Sequence, residues 1–187
     1  VSELSAGLQS VRSLQGVDIH IIPGVLQRST LPNVMRGEET QVLGVLASLD
    51  EASTRRPLLI GLPGSHSKWV HVLEGCIVHF DTFMTGEVYA ALCGHTILGR
   101  TMRPGETFDT HAFDRGLSIA LSPEGASGLL STIFSSRTLG LTGQLDASAQ
   151  PDYLSGLLIG HELEALKRIQ QKTLKPLPAV ILIGSES

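Results

Sequence analysis

The spacing of apolar positions changes several times along the chain, and each change marks a predicted element. In some segments apolar residues recur as on one face of a helix, and in others they alternate or run together as in strands. The helical pattern covers residues 2–14, 37–49, 85–95, 107–121, 124–135 and 151–171. The strand pattern covers residues 17–22, 57–62, 68–73, 76–83 and 179–183, with loops predicted over 27–35 and 136–150.

The order of these elements predicts an α/β fold with a mixed sheet and packed helices. Residues 57–62 form a continuous apolar run, as in a buried central strand, and Glu74-Gly75 fits a tight turn between the next two strands. Three strands, then helices and a returning strand, give a β-β-β-α-type order. The last predicted helix contains Gly156 and Gly160. Each costs about 1 kcal/mol relative to alanine, so we expect another element to approach closely there.

Composition excludes some classes of function. Of the 187 residues, 42% are hydrophobic and 17% are charged, which allows a sizeable core, and the formal net charge is −4. A negative net charge does not favour binding to nucleic acid or to an anionic membrane. No apolar run approaches the ~20 residues that a membrane helix needs. Cys76 and Cys93 lack the spacing of a metal site, so we expect buried free thiols and a cytoplasmic protein.

The turn between the strands predicted over 57–62 and 68–73 is the first candidate for chemistry. Glycine in such a turn lets backbone N–H groups form an anion-binding nest. The candidate residues of this segment are Gly64, Ser65, His66, Ser67 and Lys68. The segment is not a Walker A loop, because GxxxxGK[ST] is absent. An ordinary polar hairpin turn is the alternative.

Glu38 and Glu39 open a predicted helix directly after Arg36 and Gly37. Neighbouring residues on a helix point about 100° apart, so the two carboxylates cannot share one task. One of them could face a cleft as a general base. The alternative is that both simply favour the positive end of the helix dipole.

Two further segments place polar residues at the ends of strands. Thr85 and Glu87 follow a predicted strand and begin a helix, a position where ligands often bind, although Thr85 could equally cap the helix. Gly184 and Ser185 follow the last strand and would allow the backbone to approach a nucleotide closely. Many strand ends look like this, so the second signal is weak by itself.

Five segments, in this order, resemble the 2-dehydro-3-deoxygalactonokinase family of bacterial sugar-acid kinases. They are IIPGV, NVMRGEETQVLG, PGSHSKWV, FMTGE and YLSGLLIGHE. The resemblance runs from about residue 18 to the end of the chain, and NVMRGEETQ and PGSHSKWV are its most specific parts. It implies the actin-like ATPase fold, in which two ribonuclease-H-like domains flank a nucleotide cleft.

The resemblance implies a reaction and a role for each candidate residue. The reaction is transfer of phosphate from ATP, with Mg²⁺, to a hydroxyl of 2-dehydro-3-deoxygalactonate. Glu38, or alternatively Glu39, would be the catalytic base, and no residue is implied as a direct metal ligand. Gly64, Ser65, His66, Ser67 and Lys68 would bind the ATP phosphates, Gly184 and Ser185 would lie beside the adenosine, and Arg36, Thr85 and Glu87 are substrate candidates. The alternatives are an actin-like kinase with another acceptor and a non-catalytic nucleotide-binding or interaction module.

The resemblance also carries an expectation about domains. The family has a first phosphate motif of the Asp-Trp-Gly type near its N-terminus, and nothing of that kind occurs in this sequence. We therefore expect residues 1–24 to be the tail of the first actin-like domain with the crossover, and residues 25–187 to be the second domain without its last helices. Such a chain alone should have negligible kinase activity. Its exposed apolar cleft would favour a homo-oligomer, with ATP and a sugar acid as the other partners.

Overall fold

A computed structural model of the chain describes residues 7–103, 105–173 and 178–184. Internal packing divides the chain into two compact units. Unit 1 comprises Val1–Pro63, Ser67–Thr82 and Pro176–Ser187, and unit 2 comprises Gly64–His66 and Phe83–Lys175. The expected boundary between two actin-like domains at residue 24 stays a prediction.

Four short strands come first in the described part of the chain. The first strands are β1 (Gln9–Arg12), β2 (Asp18–Ile21), β3 (Val25–Gln27) and β4 (Asn33–Met35). They are followed by helices α1 (Glu38–Ser48) and α2 (Glu51–Thr54) and by strands β5 (Leu58–Leu62), β6 (Ser67–Leu73) and β7 (Cys76–Phe83). The remaining elements are α3 (Thr85–His95), α4 (Thr110–Leu121), α5 (Leu129–Thr132), α6 (Ser135–Leu141), α7 (Gln150–Thr173) and β8 (Ala179–Leu182).

A mixed sheet forms the centre of unit 1, as predicted. Among the described residues its strands lie in the order β7-β6-β5-β8, with β5 antiparallel to β6 and parallel to β8. Every residue of β5 is buried, which confirms the central strand that the apolar run predicts. Val42 of α1 belongs to the same core cluster as Ile60, Val70 and Phe80 of the sheet. The Glu74-Gly75 turn has φ values of 49° and 72°, the left-handed geometry that a two-residue hairpin requires.

The sequence prediction is wrong near the N-terminus. Instead of a helix over residues 2–14, β1 pairs with β2 as an antiparallel hairpin, while residues 1–6 lie outside the described part. Gly16, at φ +80°, and a 2.8 Å hydrogen bond from Ser13 N–H to Val17 O close the turn. The turn at Gly16 favours a hairpin over the helix that the spacing of apolar residues suggests. The loop predicted over 27–35 is also partly strand, because β3 and β4 pair with each other and bury Met35 in the core.

The middle helices of unit 2 also differ from the prediction. The helix predicted over 107–121 begins only at Thr110, where the Asp109 carboxylate caps it by accepting the Ala112 N–H at 3.0 Å. The helix predicted over 124–135 is interrupted, because Gly128 adopts φ +87° between a 3-10 turn and α5. The loop predicted over 136–150 is helical in its first part, where α6 extends to Leu141 and the Ser136 side chain is fully buried. The residues from Thr142 to Ala149 are not helical, as predicted.

Close contact between α4 and α7 confirms the prediction that the α7 glycines admit another element. A Cβ built on Gly156 would lie 2.0 Å from the Phe113 carbonyl oxygen of α4, and one on Gly160 would lie 2.5 Å from Ala120 Cβ. In return, a Cβ on Gly116 of α4 would lie 2.0 Å from the Tyr153 carbonyl oxygen. The two helix backbones are therefore in direct contact at positions where only glycine fits.

Candidate functional site

The turn Gly64–His66, called the 64–66 turn below, belongs to unit 2 and is exposed to solvent. A Cβ built on Gly64 meets no described atom within 4 Å, so the space beside this backbone is open. Successive backbone N–H groups of such a turn can converge on an anion, and a hydroxyl and an imidazole stand beside them. The backbone of this turn is therefore accessible from solvent, and a phosphate-binding role for it stays a prediction.

Ser67 and Lys68 are placed differently from the turn that precedes them. Both are buried in β6, and Lys68 is only 5% exposed. Its ammonium donates to Val34 O at 3.2 Å and to Thr82 Oγ1 at 2.8 Å within unit 1. The positive charge is thus engaged inside unit 1, and a phosphate-binding role for these two residues stays a prediction.

The two carboxylates at the start of α1 differ in accessibility. Glu39 is 1% exposed and accepts the Gly37 N–H at 2.7 Å and the Thr40 hydroxyl at 3.3 Å. Glu38 is only partly buried and accepts the Arg36 N–H at 3.0 Å. The Arg36 residue itself is exposed. Glu38 is therefore the more accessible of the two carboxylates, whereas Glu39 is buried and hydrogen-bonded to its neighbours in the chain.

The start of α3 is fixed by a carboxylate that the sequence prediction missed. The Thr85 hydroxyl donates to Glu162 of α7, whose side chain is 7% exposed. Thr85 therefore does not cap α3: the N-cap is Met84, which makes no side-chain capping bond. A signal for Glu162 exists in the sequence, because Leu158, Glu162 and Leu166 are spaced four apart and share the buried stripe of α7.

A cavity of about 480 Å³ lies within unit 2 beside Thr85 and Glu162. Its walls are mainly apolar and include Val88, Leu129, Leu158, Ala165 and Ile169. At one side Arg168 donates to Glu164 at 3.2 Å, and this contact holds the pKa of the Glu164 carboxyl below its ordinary value. Burial, together with the charge of Arg168, lowers the pKa of His161 below its ordinary value. The cavity can accommodate a small organic molecule.

A second polar cluster, in unit 1, was not predicted from the sequence. The Asp81 carboxylate accepts the His79 Nε2–H at 3.2 Å and lies 3.4 Å from Nε2 of the buried His71. Burial alone would raise the pKa of the Asp81 carboxyl, but the two histidines outweigh burial and hold that pKa below its ordinary value. The cluster joins neighbouring strands β6 and β7.

We predict that Asp81→Asn lowers the free energy of unfolding by about 1–2 kcal/mol at neutral pH. Since the pKa of Asp81 is lower in the folded than in the unfolded chain, its stabilisation is complete above the ordinary value of 3.8. It is lost as the pH falls through the folded pKa. Urea unfolding followed by the fluorescence of Trp69, which is buried in the same unit, measures the difference. A difference that does not shrink in acid would contradict the prediction; Asp18→Asn, at an exposed position of β2, is the control.

Both cysteines are free, but the prediction that both are buried is wrong, because Cys76 is exposed and Cys93 is half-buried. Burial raises the pKa of the Cys93 thiol, although its hydrogen bond with Tyr89 opposes the shift. Burial and Cys93 raise the pKa of Tyr89 to about 12. Neither group is ionised at neutral pH, so neither is a ready nucleophile.

Gly184 follows β8, is exposed, and has no described atom within 4 Å of a Cβ built on it, whereas Ser185 lies outside the described residues. Among the residues that the structure describes, no group of three or more His, Cys, Asp or Glu is placed to hold a metal ion. In the same residues no helix is both long and apolar enough to span a membrane.

Comparison with known proteins identifies the family. The 2-keto-3-deoxy-galactonokinase family matches residues 1–187. The chain is 41% identical over 150 residues to DgoK1 of Rhizobium meliloti (strain 1021), assigned as a 2-dehydro-3-deoxygalactonokinase. It is 35% identical over 153 residues to 2-dehydro-3-deoxygalactonokinase of Escherichia coli (strain K12). These matches cover 78% and 81% of this chain but 47% and 49% of the relatives.

A solved structure supports the same relationship. A crystal structure from Sinorhizobium meliloti, of a protein assigned as a 2-dehydro-3-deoxygalactonokinase, matches with a TM-score of 0.84 at 32% identity. The match covers 99% of this chain and 59% of that one. The chain belongs to the 2-keto-3-deoxy-galactonokinase family, and it spans about half the length of the curated relatives it matches. The resemblance drawn from the sequence motifs is confirmed, as is the mixed α/β fold.

Proposed function

We propose that this chain supplies the ATP-phosphate site and the catalytic base of a kinase that phosphorylates a hydroxyl of 2-dehydro-3-deoxygalactonate. The observation that carries the proposal is the exposed 64–66 turn, whose Gly64 leaves open space for a phosphate. Membership of the family and the names of the relatives support the reaction. Phosphoryl transfer needs mainly positioning and charge stabilisation, which a turn of this kind provides.

The fold that we propose is the ribonuclease-H-like domain of actin-like ATPases. Strands β5, β6 and β7 follow one another in the chain, helices come next, and β8 returns to lie parallel beside β5. This order of strands and helices supports the proposal. Along the chain, the 64–66 turn lies between β5 and β6, the first two strands of this series. Gly184, directly after the returning strand, is proposed to lie on the nucleoside side.

The terminal phosphates would accept hydrogen bonds from the backbone N–H groups of the 64–66 turn and from the Ser65 hydroxyl. Mg²⁺ in this class of reaction neutralises the charge of the phosphates, and it is commonly held by phosphate oxygens and water. Ser67 and Lys68 are buried in β6, so they are proposed to support the strand that follows the turn.

Glu38 is the residue that we assign as the general base. It would orient the acceptor hydroxyl and accept its proton. Glu38 is more accessible than Glu39, and its present partner is a backbone N–H that water can replace. The exposed Arg36 is the proposed partner of the acceptor carboxylate, because a guanidinium matches a carboxylate in shape and charge.

We predict that Gly64→Ala raises the KM for ATP of the full-length kinase about tenfold, because a methyl group obstructs phosphate approach. The added Cβ meets no described neighbour within 4 Å, so the fold should be undisturbed. Steady-state kinetics with ATP varied and the acceptor saturating measure the effect. Gly94→Ala, at an open and exposed position of α3, is the matched control. An unchanged KM would make the turn structural.

Two other readings make different predictions for the same experiments. A kinase with another acceptor would show the same dependence on Gly64 but a different substrate preference. If the chain is part of a non-catalytic nucleotide-binding module, the full-length protein would bind ATP but release no ADP. For these 187 residues alone we predict negligible ADP release, and robust turnover would refute that prediction. Self-association and a cytoplasmic location stay predictions.

A further inference from the structure

The first turn of α3 contacts each residue of the 64–66 turn, within unit 2. A Cβ built on Gly86 would lie 2.6 Å from the Gly64 carbonyl oxygen and 2.8 Å from Ser65 Cα, so only glycine fits at this contact. The next residue, Glu87, donates its backbone N–H to Ser65 O at 3.0 Å. The Glu87 carboxylate also accepts the Nε2–H of His66. The conformation of the turn therefore depends on α3.

The start of α3 is itself held from the other side by α7. The Thr85 hydroxyl donates to the buried Glu162 carboxylate. A carboxylate withdrawn from water keeps its hydrogen-bond partners in place, because giving up such a bond has a free-energy cost. Contacts thus run from α7 through Thr85 to Gly86 and Glu87, and from there to the 64–66 turn.

We infer that Glu87 is a positioning residue that acts through His66. Its carboxylate fixes the direction of the imidazole, and its backbone N–H fixes Ser65, so that the turn is already shaped for a phosphate. The inference rests on the proposed phosphate role of the 64–66 turn. A displacement of about 1 Å of a group that holds a reactant can change rates strongly, even when the displaced residue does not touch the reactant.

We expect the contact between His66 and Glu87 to contribute little to folding stability. Loss of the contact should therefore change ATP binding without lowering the melting temperature, whereas loss of a merely structural contact would lower it. The two side chains are 50% and 54% exposed, and exposed ion pairs typically contribute little because solvent screens them. A direct substrate contact by Glu87, the role predicted from the sequence, would act independently of His66. A positioning residue loses its effect once His66 is absent.

A double-mutant cycle in the full-length kinase distinguishes these roles. The variants are Glu87→Gln, His66→Ala and the two combined, with Glu51→Gln, an exposed and ion-paired carboxylate of α2, as control. We expect Glu87→Gln to raise the KM for ATP about three- to fivefold with an unchanged melting temperature. The double variant should match His66→Ala alone, because no imidazole remains to be oriented. Glu51→Gln should leave both quantities unchanged.

The Gly64→Ala variant separates failure of this inference from failure of the proposed function. If Gly64→Ala raises the KM for ATP but Glu87→Gln does not, the phosphate turn stands and the positioning role falls. Additive effects of Glu87→Gln and His66→Ala, or a lowered melting temperature of Glu87→Gln, would also overturn the inference. If neither Gly64→Ala nor His66→Ala changes the KM, the phosphate assignment fails and the positioning role with it.

Discussion

Glu38→Gln is expected to lower the turnover of the full-length kinase by about 10²–10⁴-fold while ATP still binds. The substitution keeps the shape and the hydrogen-bonding capacity of the side chain but removes its ability to accept a proton. Glu38 is the partly exposed carboxylate at the start of α1, and it accepts a hydrogen bond from the Arg36 N–H. The phosphate contacts that we propose for the 64–66 turn do not depend on that proton, so affinity for ATP should change little.

Two further variants make this result specific. Glu39→Gln is expected to reduce stability rather than chemistry, because Glu39 is 1% exposed and accepts the Gly37 N–H at 2.7 Å. Glu51→Gln, in the first turn of α2, controls for loss of a negative charge at a helix N-terminus. Turnover is measured by ADP release, and ATP affinity by equilibrium binding. Near-normal turnover of Glu38→Gln, with loss of turnover in a folded Glu39→Gln, would transfer the role to Glu39.

Gly156→Ala is expected to lower the free energy of unfolding by about 3 kcal/mol. Alanine is the better helix former by about 1 kcal/mol, so propensity alone predicts the opposite sign. The added Cβ would lie 2.0 Å from the Phe113 carbonyl oxygen, and the obstructing atom is backbone rather than a flexible side chain. Helices α4 and α7 must therefore move apart, which loosens the core around Tyr153 and Leu157.

Gly44→Ala is the matched control for this experiment. Gly44 lies in the interior of α1, is exposed, and has no described atom within 4 Å of a Cβ built on it. There the substitution should stabilise by up to about 1 kcal/mol. Far-UV circular dichroism follows the unfolding of all the helices together, whereas Trp69, the only tryptophan of the sequence, reports unit 1. Equal stability of Gly156→Ala and Gly44→Ala would contradict the close packing of the two helices.

The sequence correctly predicted the elements in which the spacing of apolar residues matches the burial in the structure. The continuous apolar run over residues 57–62 predicts a buried central strand, and β5 is buried at every position. The long amphipathic stretch of α7 likewise predicts a helix, and its glycines predict a close neighbour, which is α4. In these elements local propensity and tertiary packing favour the same conformation.

The predictions failed where a short local pattern fitted two structures. Leu8 and Val11 fit a helical stripe, but the turn through Gly16 pairs β1 with β2, and a turn of that geometry cannot form inside a helix. The pattern over 124–135 is helical except at Gly128, whose positive φ divides the segment. Apolar spacing carries no information about such backbone reversals.

The sequence predicted which segments form the candidate site, but not which of their side chains are buried or which residues contact each other. The sequence favours Glu38 over Glu39 only because Glu38 directly follows Gly37, and packing adds that Glu39 is buried while Glu38 is accessible. Ser67 and Lys68 follow the 64–66 turn directly, yet both are buried, as are the next four residues of β6. The contact between His66 and Glu87 joins residues 21 positions apart, and no local pattern indicates it.

An acceptor panel with the full-length protein tests the proposed function most directly. ATP is supplied with 2-dehydro-3-deoxygalactonate, an epimer of that acid, a sugar acid without the 2-keto group, and a neutral sugar. ADP release and the mass of each product are recorded. We predict ADP release that depends on 2-dehydro-3-deoxygalactonate, with a product heavier by one phosphate, and far weaker transfer to the other acceptors. ADP release independent of any acceptor, or transfer to another member of the panel with 2-dehydro-3-deoxygalactonate left unmodified, would contradict it.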